Sequence, residues 1–273
     1  VTELMAHVRP AWVFHLAGQA FVPRAYENPW ETLEINMRGA LNFFEAMRRL
    51  ALDSRILVIG SADEYGIVRP DQLPLRESEP LNPANPYGVS KVAQDFLAGQ
   101  FARAFNLGIV RVRSFNHIGP GQSARFAASD WAAQIAAAEV GQREPVVYVG
   151  DLSAQRAFTD VRDVVRAYTL ALEKGVPGAV YNVCSGKAFT MEYILKTLVA
   201  MSTVPIEIRI DKSRLRVAEI PILYGDSIES LRNLNEPIDL FINDSDHSSD
   251  YEYREYVTIR NRLHEKSIVL SDN

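Results

Sequence analysis

Ile56-Leu57-Val58-Ile59-Gly60-Ser61-Ala62-Asp63-Glu64-Tyr65-Gly66 is the stretch on which the fold turns. Its first four residues form an uninterrupted apolar run, the pattern of a short strand covered on both faces. The run ends in a polar loop bracketed by Gly60 and Gly66. Open parallel α/β sheets place their chemistry in loops at the carboxyl ends of strands, so Ser61 is a candidate site residue. Working outward, a helix is predicted on each side. One runs from about residue 30 to 50, with Leu33, Met37, Ala40, Leu41, Phe44 and Met47 on one face. The other starts near Pro86 and carries Val89, Ala93, Phe96, Leu97 and Phe101 at helical spacing before the strand at 109–113.

The second helix opens with Asn85-Pro86-Tyr87-Gly88-Val89-Ser90-Lys91. Proline suits a first helical turn, where its missing N–H is no loss, and a four-residue spacing puts Tyr87 and Lys91 on one face. A cation held beside a phenol favours the phenolate, which makes Tyr87 a candidate proton donor and acceptor near neutral pH. By itself such a pair is usually a solvated helix face, and Ser61 by itself is usually a turn residue. Their conjunction reverses that weighing.

Ser61 with Tyr65-Gly66, followed by Tyr87-x-x-x-Lys91, resembles the Ser/Tyr/Lys constellation of the extended short-chain dehydrogenase/reductase family, in the branch acting on nucleotide sugars. His15-Leu16-Ala17-Gly18 after a strand, Asn36-x-x-Gly39 in the next helix, and Arg113-x-x-Asn116-x-x-Gly119-Pro120 add to the likeness. Phe115 to Gln122 and Arg156 to Asp163 are similar to the GDP-sugar subgroup, the GDP-6-deoxy-D-mannose reductases and GDP-mannose 4,6-dehydratases. The resemblance covers roughly residues 1–225. It implies a Rossmann-like, doubly wound parallel sheet with a smaller interleaved substrate region, NADP or NAD as cofactor, and a GDP-sugar as substrate. Reduction of the 4-keto group of a GDP-4-keto-6-deoxy-hexose is the implied reaction.

The resemblance also assigns roles. Tyr87 would supply the proton, Lys91 would lower its pKa and hold the cofactor ribose, and Ser61 would bond the substrate oxygen. His15 and Ala17 would line the cofactor site with them. Asn116, Arg156 and Arg216 would bind substrate, the arginines by forked bonds to the diphosphate, although each alone is about as readily a surface ion pair. Asn36 would steady the catalytic helix. A 4,6-dehydratase or an epimerase is the alternative, and dehydration needs a further acid/base. Asp63 stands two residues after the serine, where related dehydratases carry a Glu. Glu64 is expected to point to the other side if the segment is extended. A homodimer through the helices at 30–50 and 86–106 is a further expectation.

Composition sets outer limits. A chain of 273 residues with 47% hydrophobic content can bury a good core, and its net charge of −5 argues against a broad nucleic-acid surface. A membrane helix is not expected, and the single cysteine, Cys184, points to a reducing, cytoplasmic setting. No G-x-x-G-x-x-G turn occurs in the sequence. In the family that turn follows the first strand and holds the cofactor pyrophosphate, so the expectation here is a fragment lacking its N-terminal strands and binding NAD(P) weakly, or a non-catalytic remnant. Three regions follow: residues 1–122 with 157–184 as the truncated cofactor region, 123–156 with 185–224 as the substrate region, and 225–273 as an atypical α/β tail. The tail resembles part of a class I S-adenosylmethionine-dependent methyltransferase, with strands at 237–247 and 267–273. Its Asp244, Asp246, His247 and Asp272 are as readily a solvated strand end as a metal site, and no metal is assigned.

Overall fold

The computed structural model describes residues 1–214, 238–243 and 257–271. Contacts divide the chain into two units, Val1–Arg216 and Val217–Asn273. In the first unit α1 (Thr2–Val8) leads into β1 (Trp12–His15). A helical stretch follows, made of α2 (Val22–Glu27), α3 (Pro29–Leu33), one turn of π-helix (Glu34–Arg38) and α4 (Gly39–Arg49). β2 (Arg55–Ser61) then runs through a 3₁₀ turn (Ala62–Glu64) and a long loop to α5 (Pro86–Phe105) and β3 (Gly108–Ser114). The chain continues through β4 (His117–Ile118), α6 (Ala127–Glu139), β5 (Val146–Val149), β6 (Gln155–Ala157), β7 (Thr159–Asp160) and α7 (Val161–Lys174). It returns to the sheet with β8 (Val180–Val183) and goes on to β9 (Ala188–Thr190), α8 (Met191–Ala200) and β10 (Glu207–Ile210).

Four parallel strands form the main sheet in the order β1-β2-β3-β8. Alternation along the strands decides which helix covers which face. Ile56, Val58 and Ile109 pack with Ala40, Phe44 and Met47 of α4 and Ala98 and Phe101 of α5. Leu57, Val110 and Val112, pointing the other way, pack with Val164, Tyr168 and Leu172 of α7. This is the doubly wound α/β arrangement expected from the sequence. A third core gathers Trp131 and Ile135 of α6, Val147 and Val149 of β5 and Leu195 of α8, where β5 pairs with β10 in parallel.

Ahead of the helix expected from about residue 30, the chain is already helical. It forms α2, with Pro23 in the first turn where proline is tolerated. The helix expected over 30–50 is present but not uniform, because a π turn interrupts it at 34–38. In the second unit, β11 (Ile238–Asn243) pairs in parallel with β12 (Leu263–Ser271). The second strand therefore starts before residue 267. The acids at 244, 246 and 272, His247 and the start of the tail at 225 lie outside the described residues. Among the described residues no helix is long and apolar enough to cross a membrane.

Candidate active site

The first turn of α5 is built by its cap. Asn85 is extended and its side chain accepts the Gly88 N–H at 2.7 Å, with Pro86 behind it at the first helical position. Tyr87 and Lys91 thereby face inward, and both are buried. β2 delivers Ser61 to the same place, where its side chain hydrogen-bonds the Tyr87 phenol and its Oγ accepts the Asp63 N–H at 3.2 Å. The Lys91 ammonium donates to the Ile59 carbonyl at 2.8 Å and to Gln94 Oε1 at 2.9 Å, and lies 5.9 Å from the Tyr87 ring centroid. Strand end and helix start thus bring Ser61, Tyr87 and Lys91 together.

Asn36 ties this corner to the loop after β1. A π turn carries one residue more than an α turn, and Asn36 sits in it fully buried. Its amide donates to Ser90 Oγ at 2.8 Å and to the Gln19 carbonyl at 3.1 Å, while its Oδ1 accepts the Gln19 N–H at 2.8 Å. Ser90 in turn donates to the Tyr87 carbonyl at 2.6 Å. The backbone that carries the phenol is therefore held from behind.

The electrostatics correct one expectation. Lys91 was expected to pull the Tyr87 pKa down, yet the phenol is pushed well above its ordinary value. Burial is the main cause, opposed by the Ser61 hydrogen bond and reinforced by the negative charges of Asp63 and Glu64. Burial likewise lowers Lys91 to about 8, against the pull of Glu64. Taking a charge out of water is the largest effect at both groups. At neutral pH Tyr87 keeps its proton and Lys91 is mostly cationic.

Glu64 is the residue that sequence reasoning placed wrongly. The segment is not extended, because Ala62–Glu64 forms a 3₁₀ turn that folds the side chain back beneath Ser61. One carboxylate oxygen accepts the Ser61 N–H at 2.8 Å and the other accepts Arg113 Nε at 3.0 Å. Arg113 also donates to Asp95 Oδ2 at 2.9 Å and to the Tyr65 hydroxyl at 3.1 Å. Burial, with Asp95 nearby, raises the Glu64 pKa to about 7. The Ser-x-x-Glu spacing of a capping box was a legible signal for this fold-back.

Of the residues assigned to the cofactor, His15 ends β1 buried, its Nε2 without a hydrogen-bond partner among the described residues, and burial followed by the charge of Lys91 lowers its pKa to about 4. Ala17 is exposed on the next loop, beside Gly18. A Cβ on Gly18 would meet Asn36 Oδ1 at 2.9 Å, with the Lys91 ammonium 3.7 Å away. That bare backbone leaves an approach to Lys91, whose two hydrogen bonds use two of an ammonium's three donors. These residues suit a hydroxyl-bearing group such as a nucleotide ribose.

Among the described residues, the substrate candidates make their hydrogen bonds away from Ser61, Tyr87 and Lys91. Asn116 is at the same end of the sheet, since Ser114 pairs in register with Ser61, but it is exposed and its carbonyl accepts the Thr159 N–H at 3.0 Å. Arg156 lies exposed on β6, which pairs with β9, and donates to the Gln155 carbonyl at 2.8 Å. Arg216 lies outside the described residues. Asp63, the acid/base candidate, is half-buried and near enough to the phenol to oppose its ionisation. A cleft of about 410 Å³ opens at the end of β8, lined by Phe158, Thr159, Asp160, Asn182, Val183 and Cys184 among others.

Comparison with known proteins bears on this arrangement. The sequence model of the GDP-mannose 4,6 dehydratase family matches residues 1–235. The chain is 40% identical over 210 residues to a GDP-6-deoxy-D-mannose reductase from Pseudomonas aeruginosa, covering 77% of this chain and 69% of the relative. Among solved structures it is similar to RMD from Pseudomonas aeruginosa complexed with NADPH, with a TM-score of 0.72 and 39% identity over 77% of this chain and 73% of that one. A UDP-glucose 4-epimerase from Thermus thermophilus in complex with NAD follows at a TM-score of 0.67 and 26% identity, covering 79% and 71%.

Proposed function

The chain belongs to the GDP-mannose 4,6-dehydratase family of NAD(P)-dependent nucleotide-sugar enzymes, and on that premise we propose that it reduces the 4-keto group of a GDP-4-keto-6-deoxy-hexose. One observation carries the reading: the buried Tyr87 phenol is hydrogen-bonded to Ser61 at the end of β2 with the Lys91 ammonium 5.9 Å from its ring centroid, a set able to bond and protonate a carbonyl oxygen. The 40% identity to a named reductase supports it.

When bound, a reduced nicotinamide supplies the hydride. Ser61 bonds the carbonyl oxygen, and the Tyr87 phenol delivers the proton to that oxygen as its charge develops, so that ketone, hydride and proton sum to the alcohol. Lys91, with a donor to spare, bonds the ribose and places a positive charge beside the phenolate that forms. His15 and Ala17 line the cofactor side, and Asn116, Arg156 and Arg216 meet the nucleotide sugar. In this reading residues 1–122 with 157–184 serve the cofactor, 123–156 with 185–224 the substrate, and 225–273 form an appended unit.

Dehydration of a GDP-hexose is the second reading, favoured by the family name and by Asp63 lying close enough to influence Tyr87. A homodimer through α3–α4 and α5 is part of the proposal. Trp30 is 80% and Phe96 59% exposed on those helices, with Val89 and Phe105 exposed as well. The cytoplasm, which keeps Cys184 reduced, is the proposed location. The purified chain, assayed with a GDP-4-keto-6-deoxy-hexose and NADPH raised to millimolar concentration, should turn over and lose at least about 100-fold in kcat on Tyr87→Phe; a parent without turnover would select the non-catalytic remnant. Turnover within twofold of the parent would overturn the assignment, and conversion of GDP-mannose to its 4-keto-6-deoxy form would select the dehydratase.

A further inference from the structure

We propose that Glu64 is a positioning residue for the carbonyl chemistry, a buried carboxylate that locks the turn presenting Ser61 to Tyr87. The inference rests on the reading above that Ser61 and Tyr87 act on a substrate carbonyl. Three independent observations carry it.

The first is connectivity. Glu64 is fully buried and spends its two oxygens on different elements, the Ser61 amide at the end of β2 and the Arg113 guanidinium on β3. Ser61 is thus fixed through its own backbone as well as through the Asp63 N–H that its Oγ accepts, and its hydroxyl still reaches the phenol. The second is the space made for the carboxylate. Gly60 has no Cβ, and a Cβ there would overlap Glu64 Oε1 while standing 2.8 Å from the Val112 carbonyl. The residue before the serine therefore has to be glycine if Glu64 is to lie beneath it.

The third is the charge environment. Glu64 faces Arg113 from β3, Asp95, Lys91 and Tyr87 from α5, and Tyr65 through their shared partner Arg113. The ionised carboxylate answers Arg113 and supports the ammonium of Lys91. A neutral one leaves Asp95 as the carboxylate that answers Arg113 and ceases to favour the ammonium of Lys91. A purely structural ion pair could have been placed anywhere in the core. This one touches the backbone of one triad member and interacts electrostatically with the other two.

Glu64→Gln keeps the shape and the acceptor for Ser61 N–H, but turns an amide donor toward Arg113. The expected result is a kcat about tenfold lower per folded molecule, with KM for the nucleotide sugar within threefold. In the parent, kcat should fall as pH drops through about 7, where Glu64 takes up its proton, and this limb should be absent from the Glu64→Gln variant. Amide exchange of the peptide 61–66, followed by mass spectrometry in the chain alone, should quicken in the variant while that of α5 is unchanged. If Glu64→Gln does not fold, Glu64→Asp takes its place, since it retains the charge but cannot reach both partners. A folded variant with kcat within twofold of the parent, the same acid limb and the same exchange overturns the inference. Tyr87→Phe is run alongside. Loss of activity there with none at Glu64 sinks the positioning role alone, whereas retention at Tyr87 sinks the reductase reading.

Discussion

At the scale of single residues, two buried titratable groups give the site opposing responses to pH. Glu64 has its pKa raised from 4.5 to about 7, so between those values the folded chain holds a proton the unfolded chain has lost. Its contribution to stability is full below pH 4.5 and is lost as pH rises through 7. His15 is lowered from 6.5 to about 4, so the unfolded chain takes up a proton that the folded one refuses. Its contribution is full above pH 6.5 and is lost as pH falls through 4. At roughly 1.4 kcal/mol per pKa unit each effect is about 3 kcal/mol, and in the parent they oppose each other between pH 4.5 and 6.5. Glu64→Gln should therefore become more stable as pH rises from 4.5 to 6.5, and His15→Gln less stable. Urea unfolding at three pH values in that window measures both slopes. A Glu64→Gln variant that tracks the parent would show that the carboxyl titrates normally.

At the scale of elements, the start of α5 does two jobs through one residue. Asn85 satisfies an orphan N–H of the first turn and, two residues before Tyr87, sets the direction in which the phenol enters. Asn85→Ala should cost about 1 kcal/mol in urea unfolding and lower kcat severalfold, while Asn85→Asp, which keeps the acceptor, should restore both. No change on Asn85→Ala would mean that the packing of Ala98 and Phe101 alone orients the helix. The π turn at 34–38 has the same double character. It breaks the regularity of a helix whose apolar spacing was plain in the sequence, and the residue it turns inward, Asn36, reaches Ser90 and so the Tyr87 carbonyl.

At the scale of the whole molecule, the main sheet draws its two faces from one alternation, and its site lies where β2 and β3 end together at Ser61 and Ser114. The helices on one face carry more apolar surface than this core covers, with Trp30 and Phe96 outermost. Light scattering on the purified chain should give twice the monomer mass. Phe96→Glu should give a monomer, because a carboxylate buried in a dimer face is left without a partner. A parent that stays monomeric at concentrations of tens of micromolar refutes the dimer.

What the sequence determined by itself was whatever follows from local pattern and spacing. The apolar run at 56–59 is a strand, and the four-residue step from Tyr87 to Lys91 shares a helix face. Those signals are short in range, and with the family resemblance they sufficed to name the Ser61, Tyr87 and Lys91 set. Only the tertiary structure decided the rest, because protonation and contact depend on what surrounds a group rather than on its neighbours in the chain. Burial, set by the packing of α5 on the sheet, reversed the expected shift of Tyr87. A 3₁₀ turn replaced the extended segment on which the placing of Glu64 depended, and it became a partner of Arg113, 49 residues away in the chain. Arg156, chosen for a charge that the sequence shows, sits on a strand of the small β6–β9 ribbon whose pairing joins residues more than thirty apart, and no local period encodes such a partner.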